Sequence, residues 1–376
     1  MKLNALFRNA ITKTGNRIIS TIPIAVDVSV TNYCNADCDF CGFRKSLNQG
    51  EKRDFLDAQL FIGALPILKR SGVSFINFQG GEPLLHPEIL EMIRAVSQMG
   101  MKADLITNGW KLHEQAGALV KAGLHCLFVS LDSENLEKHE KNRRLRGVGE
   151  RLKKGIAEIK EAGIPVIASV TVSKLLSPLK LPLLLKELGF SGVTFSYPRQ
   201  QPFASSSKVY GGSSTLVSFS VKELDQFLVE IKKLKKAFPT LNPIAGIEDM
   251  RRHIAQKREA YPCVGGFKYY YLDWHLNLWR CEAWGKSFGK LTDFEKLPEN
   301  KAHCTECMLS CYRDSSVLMF APLSFGKVLQ KLSKAHYLEA WQLIQSPSFW
   351  NSLKAGIQDG WLYWKIFKGK QKRRKC

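Results

Sequence analysis

The sequence predicts an α/β fold: an incomplete barrel of six strand–helix units, then a small cysteine-rich unit and a helical tail. Two observations predict it. Short β-rich runs alternate with helical stretches from residue 22 to about 200, and five cysteines crowd into residues 261–320, where helical periodicity fades. Repeated strand–helix alternation is the pattern of a parallel sheet with right-handed crossovers.

Taken in order, residues 1–20 read as a basic amphipathic helix, with Leu3, Leu6, Phe7, Ile11, Ile18 and Ile19 apolar and Lys2, Arg8, Lys13 and Arg17 basic. Strands are expected at 24–30, 74–78, 102–107, 126–131, 165–172 and 192–197, with helices at 57–71, 87–99, 111–122, 149–162 and 179–188. Six such units over 21–220 make an incomplete (β/α)6, TIM-like barrel, whose chemistry belongs at the carboxyl ends of the strands. Residues 200–220, rich in Ser, Gly and Gln, read as a loop or lid. Connecting helices follow at 221–260, the first over 221–238. The cysteine-rich unit occupies 261–320 and an aromatic, basic helical segment occupies 321–376, ending in a frayed tail of Lys368, Lys370, Lys372, Arg373, Arg374 and Lys375.

Lys and Arg outnumber Asp and Glu by 55 to 34, a net charge of +21, which favours anionic partners. With 45% hydrophobic and 24% charged residues the chain has the composition of a folded protein, not a disordered one. Eight of its ten cysteines fall into two groups. The N-terminus has no apolar core followed by a cleavage site, so the clustered cysteines read as metal ligands and not disulfides. No apolar run approaches the ~20 residues that cross a bilayer. A cytoplasmic protein is expected, at most peripheral on the inner membrane face.

The first group is Cys34-Asn-Ala-Asp-Cys38-Asp-Phe-Cys41, placed just after the first strand. Three thiolates on one loop can bind an iron–sulfur cubane and leave its fourth iron open to an amino-acid chelate. A structural zinc site would want a fourth ligand and CxxC pairs. After the second strand, Gly80-Gly81-Glu82-Pro83 offers a sharp turn, exposed backbone groups and an acceptor for an ammonium group. The cysteine spacing, Phe40 before the last cysteine and these placements resemble the radical S-adenosylmethionine (SAM) superfamily over roughly residues 22–200.

That resemblance implies a [4Fe–4S] cluster on Cys34, Cys38 and Cys41, with SAM on the open iron. It implies reductive cleavage of SAM to methionine and a 5′-deoxyadenosyl radical, fed by a one-electron donor such as flavodoxin or ferredoxin. It places Gly80, Gly81 and Glu82 at the SAM amino group, Asn108 of Thr107-Asn108-Gly109 beside SAM, and Ser130 and Asp132 toward the ribose. For Ser130 and Asp132 the alternative is a helix cap. Arg146-Gly147 resembles the family's Arg-Gly, in competition with Arg143 and Arg144. Thr171 points into the barrel or into the core, and Cys126 is a small buried hydrophobe. No catalytic residue is assigned beyond the cluster and SAM.

Cys263, Cys281, Cys304, Cys307 and Cys311, with a hairpin at 269–273 and 276–281 turning at Trp274-His275, resemble the SPASM and twitch auxiliary-cluster extensions. Leu276 stands where the family has glycine, and the downstream group is short. Four of the five thiolates would ligate an auxiliary [4Fe–4S] cluster; a structural zinc ribbon is the rival.

Trp341, Trp350, Trp361 and Trp364, with Phe349, Tyr363 and Phe367 beside basic residues, have the composition of an interfacial helix. They suggest contact with an anionic membrane and a lipid or other apolar substrate; a C-terminal helix packed on the barrel is the alternative. A peptide maturase or a tRNA-modifying enzyme are rival enzymes. Residues 1–20 are too few for a winged-helix peptide-binding domain, and no RNA-binding module is visible, so nucleic acid is not expected. The non-enzymatic alternative is an iron–sulfur or zinc protein, which needs no SAM pocket.

Overall fold

The computed structural model describes residues 5–197, 204–209, 214–297, 304 and 307–367, with side chains from residue 8 onward. The basic tail and Cys376 lie outside the described residues.

Helix α1 (Ala5–Thr21) leads into β1 (Ile24–Ser29), the first cysteine loop, α2 (Phe43–Asn48) and α3 (Ala58–Arg70). The barrel continues through β2 (Val73–Gln79), α4 (Ile89–Gln98), β3 (Lys102–Thr107), α5 (Leu112–Ala122) and β4 (Cys126–Leu131). It then runs through α6 (Leu136–Arg143), α7 (Val148–Glu161), β5 (Val166–Thr171), α8 (Leu181–Glu187) and β6 (Gly192–Ser196). Next come α9 (Val221–Ala237), α10 (Ile244–Ile254), β7 (Tyr269–Leu272), β8 (Asn277–Trp279) and β9 (Ser287–Lys290). Helices α11 (Ser310–Ser333), α12 (Tyr337–Gln345) and α13 (Pro347–Phe367) complete the described chain.

One sheet carries all nine strands in the order β6-β5-β4-β3-β2-β1-β7-β8-β9. Strands β1 to β6 are parallel in chain order and the sheet does not close, as an incomplete barrel requires. The cysteine-rich unit extends this same sheet: β7 pairs in parallel with β1, and β8 and β9 follow antiparallel. Helices α2 and α6 and strand β9 add to the expected elements. The boundary expected at 320/321 falls inside α11, which begins at Ser310. Its first turns bury Tyr312, Arg313 and Ser316, so no apolar stripe announces it in the sequence.

Alternation along the strands divides helix-facing from lumen-facing residues. Phe78 meets Phe61 of α3 edge-on at 5.8 Å, so Val26, Val28, Ile76 and Phe78 line the helix layer. Asp27, Ser29, Asn77 and Gln79 therefore face the lumen. Ser130 pairs with Ser169, Ser169 with Thr194, and Thr171 with Ser196, so these half-buried side chains continue the polar lumen wall. Below them the lumen is apolar: Cys126, Ile167 and Leu241 pack with Phe128, Tyr363, Ile366 and Phe367. The last turn of α13 thus floors the barrel, and Cys126 is part of that floor.

Helix α1 crosses α11 where Gly15 meets Gly326; a Cβ on Gly15 would lie 2.7 Å from the Gly326 carbonyl oxygen. Among the described residues no helix is long and apolar enough to cross a membrane.

Candidate active site

The first cysteine loop leaves β1 at the carboxyl mouth of the barrel and is braced from several sides. Thr31 Oγ1 donates to the Asp54 carbonyl at 2.6 Å, and Asn32 Nδ2 donates to Glu51 Oε1 at 3.0 Å and the Lys52 carbonyl at 2.8 Å. The end of β2 passes directly beneath. Gly81 N donates to the Thr31 carbonyl at 2.9 Å and Glu82 N to the Tyr33 carbonyl at 2.8 Å. Gly80 has φ +132°, a conformation that favours glycine, and a side chain on Gly81 would run into the Tyr33 carbonyl. These two glycines let strand and loop touch backbone to backbone.

Cys34 and Cys38 are buried and Cys41 is half-buried. Burial pushes the Cys34 thiol up to about 12, aided by the charges of Glu82 and Cys41. Burial likewise raises Cys38 and Cys41, while Arg143 pulls all three down. Arg143, which the sequence leaves in competition with Arg144 and Arg146, reaches the site. Its Nη2 donates to Asp132 Oδ1 at 2.7 Å, and its carbonyl accepts from Asp37 N in the cysteine loop at 3.1 Å. Its buried Nε has no hydrogen-bond partner. Arg146, by contrast, is exposed on the way into α7, so Arg143 and not Arg146 is the arginine of this site.

Glu82 is buried with both oxygens in use: Oε1 accepts from Thr107 Oγ1 at 2.5 Å and Leu84 N at 3.1 Å, and Oε2 accepts from Asn108 N at 2.7 Å. Burial raises its carboxyl; these bonds pull the other way. Asn108 Nδ2 donates to Asn35 Oδ1 at 2.9 Å and lies 3.9 Å from Cys34 Sγ. Ser130 stands half-buried on β4, the strand next to β3. Asp132 is buried with both oxygens engaged, by Asn142 Nδ2 at 2.9 Å and by Arg143. Burial alone would raise its carboxyl, but the charges of Arg143 and His139 hold it well below the usual carboxylate range.

The second group gathers on the far side of β7. Cys263, Cys281, Cys304 and Cys307 line a cavity of about 220 Å³ with Arg280, Trp284 and Tyr312. Cys311 is not in that lining; burial and the charges of Asp27 and Glu282 push its thiol well up. Leu276 has φ +59°, so the turn keeps a glycine-type conformation without glycine. Among the described residues no three Cys, His, Asp or Glu side chains converge tightly enough to grip a single ion.

Residues 204–209 strap the two cysteine groups together. Gly42 N donates to the Lys208 carbonyl at 2.9 Å beside Cys41, and Lys208 Nζ pairs with Glu51. On the other side Ser205 N and Oγ both donate to the Glu282 carbonyl, and Ser206 Oγ donates to Asp273 Oδ2 at 2.9 Å.

An open parallel barrel with a buried cysteine loop at its carboxyl mouth defines a class of barrel proteins that bind a cofactor between strand ends and loops. Residues 28–175 match the Radical SAM superfamily model, and this stretch of the chain is a radical SAM domain. Two curated relatives match part of the chain. A GTP 3',8-cyclase of Chlorobaculum tepidum is 39% identical over 115 residues, 30% of this chain and 34% of the cyclase. An AdoMet-dependent heme synthase of Methanosarcina barkeri is 34% identical over 164 residues, 42% of this chain and 44% of the synthase. The matched stretch is less than half the length of either relative. SuiB of Streptococcus suis, solved bound to its precursor peptide SuiA, shares the fold: TM-score 0.53 at 15% identity, over 80% of this chain and 67% of SuiB. A radical SAM domain implies a [4Fe–4S] cluster and SAM.

Proposed function

We propose that the chain is a radical SAM enzyme whose cluster is held by Cys34, Cys38 and Cys41. Its SAM would lie against Gly80, Gly81, Glu82 and Asn108, with Ser130 beside them on the next strand. The family match over 28–175, coinciding with three cysteines at the barrel mouth, carries this reading. The residues also fit the group chemically. Three thiols shielded from water need a compensating cation to ionise, and Arg143 would supply it with a buried Nε still lacking an acceptor. When bound and reduced by one electron, SAM supplies a 5′-deoxyadenosyl radical that takes hydrogen from, or adds to, the substrate.

The chain's own residues do the positioning. Asp132 and Asn142 hold Arg143 against the thiols, so Asp132 acts here as a support and not as a ribose contact. Glu82 locks Asn108 in place and keeps lone pairs for an ammonium group. The polar lumen receives the substrate, and the strap over 204–209 limits the approach of water. Cys263, Cys281, Cys304 and Cys307 would hold the auxiliary [4Fe–4S] cluster, leaving Cys311 to the lumen side. A flavodoxin or ferredoxin would deliver the electron.

Anaerobic reconstitution tests both parts. About eight irons per chain are expected; about four would remove the auxiliary cluster. Reduction with dithionite should yield 5′-deoxyadenosine from SAM. Its absence from iron-loaded protein would favour an electron carrier.

The relatives named for GTP and heme chemistry match this chain over less than half of their own length, so neither hands over its substrate. One observation favours work at an anionic membrane on a lipid or other apolar substrate. Trp350, Leu353, Ile357, Trp361 and Trp364 are all exposed and fall three or four residues apart on one face of α13. Lys365 Nζ lies 5.4 Å from the Trp361 ring, and Lys354 is also exposed on this helix. Tryptophan interleaved with lysine suits a headgroup layer. Co-sedimentation with anionic vesicles at low salt tests it, and failure to sediment removes it.

A further inference from the structure

Resting on the reading of the barrel as a radical SAM active site, we propose that Asp27 and Glu282 form a receptor for a protonated amine on the substrate. Asp27 is central on β1, and Glu282 follows β8 and the ligand-type Cys281, so the two reach the lumen from different parts of the sheet. Both are buried, at 4% and 6% exposure. Each has one oxygen doubly occupied by neutral donors. Asp27 Oδ1 accepts from Asn77 Nδ2 at 2.7 Å and Tyr269 Oη at 3.0 Å; Glu282 Oε1 accepts from Gln79 Nε2 at 2.9 Å and Ser207 Oγ at 3.3 Å. Among the described residues no hydrogen bond reaches Asp27 Oδ2 or Glu282 Oε2, and no lysine or arginine pairs with either carboxylate.

The neighbouring cations are engaged elsewhere. Arg313 pairs with Asp249, Lys268 donates to the Ile22 carbonyl, and Arg280 lies over the Trp284 ring. The two acids' hydrogen-bond partners Asn77 and Gln79 stand two residues apart on β2, on its lumen face. A second observation points to a ligand. The Tyr312 hydroxyl is buried without any partner, and Asp27 and Glu282 are the first charges it feels. Its ring packs edge-on against Tyr269 at 4.7 Å, which ties it to Asp27.

Two buried carboxyl groups, each with one oxygen that no hydrogen bond reaches, and a buried hydroxyl without a partner are a site short of hydrogen-bonding partners and of positive charge. An alkylammonium supplies three donors and one charge. A neutral hydroxyl supplies one donor, and a carboxylate is repelled. Glu282 also meets the strap through Ser205 and Ser207, so the receptor sits beneath the segment that covers the mouth.

The test is calorimetric titration of reconstituted, SAM-loaded protein with n-butylammonium, n-butanol and butyrate. The ammonium ion is expected to bind about tenfold more tightly than the alcohol, and butyrate not at all. Asp27→Asn and Glu282→Gln should each abolish the preference, and Tyr312→Phe should weaken it. Iron content is measured on every variant, and if one substitution loses the cluster the other carries the same expectation. Equal binding of amine and alcohol to wild type, or a preference that survives both substitutions in iron-loaded protein, overturns the proposal. Formation of 5′-deoxyadenosine is scored separately, so failure of the amine site and failure of the radical SAM reading remain distinct.

Discussion

Gly81 decides how closely the cysteine loop can lie on β2. A Cβ there would clash with the Tyr33 carbonyl and lie 3.0 Å from Cys34 N, and backbone atoms cannot swing aside as a flexible side chain can. Gly81→Ala is expected to lower stability by about 1–3 kcal/mol and to reduce the iron retained by the first cysteine group, read by denaturant unfolding and iron assay. Asp132 is the second sensitive residue. Asp132→Asn leaves Arg143 buried without its counter-charge and should cost about 3 kcal/mol. Because the folded carboxyl is held below its unfolded value of 3.8, the stabilisation is complete above that value and fades as the pH falls below it. An acid titration of wild type that showed no such loss relative to Asp132→Asn would contradict this. The cysteines and glycines of the site were legible because their spacing is itself the signal. Arg143 was not, because three arginines stand within four residues, 143 to 146. Only the αL turn at Arg144, φ +53°, decides which one turns inward.

Elements with a clean apolar rhythm were read nearly residue for residue: β3 and β4 occupy the expected 102–107 and 126–131. Helix α6 was missed because it buries His139, Asn142 and Arg143 around Asp132, so its inward face is polar. The start of α11 was missed for a related reason, since its first turns face a cysteine pocket and a carboxylate. Leu276 shows the converse: the family's glycine is absent, yet the turn keeps its left-handed backbone. Helix α1 was read as amphipathic, and one side of it is taken up by α11. Thr12 Oγ1 donates to Ser333 Oγ at 2.7 Å, and Gly326 sits against Ile19 and Gly15. Gly326→Leu should wedge the pair apart, costing about 1–3 kcal/mol and exposing α1 to protease ahead of global unfolding. Unchanged proteolysis at unchanged stability would show that the crossing is loose.

On the scale of the molecule, the single nine-stranded sheet was the least legible feature. A sequence shows a hairpin but not which edge it joins, and here β7 joins β1, which carries the first cysteines to within one strand of the second group. The strap over 204–209 then ties the two from above. The exposed face of α13 belongs to this scale as well. Replacing Trp350 and Trp361 together with Ser should abolish sedimentation with anionic vesicles and leave thermal stability within about 0.5 kcal/mol of wild type, because both rings face solvent. A double variant that still sedimented would place the contact elsewhere.

Helix α13 is one rigid rod of about 30 Å, its 21 residues rising about 1.5 Å each. Its outer flank carries the exposed tryptophans, and its tip, through Tyr363, Ile366 and Phe367, floors the barrel. One helix thus has its foot in the core and its face on the surface, and a substitution that shifted it as a body would move both.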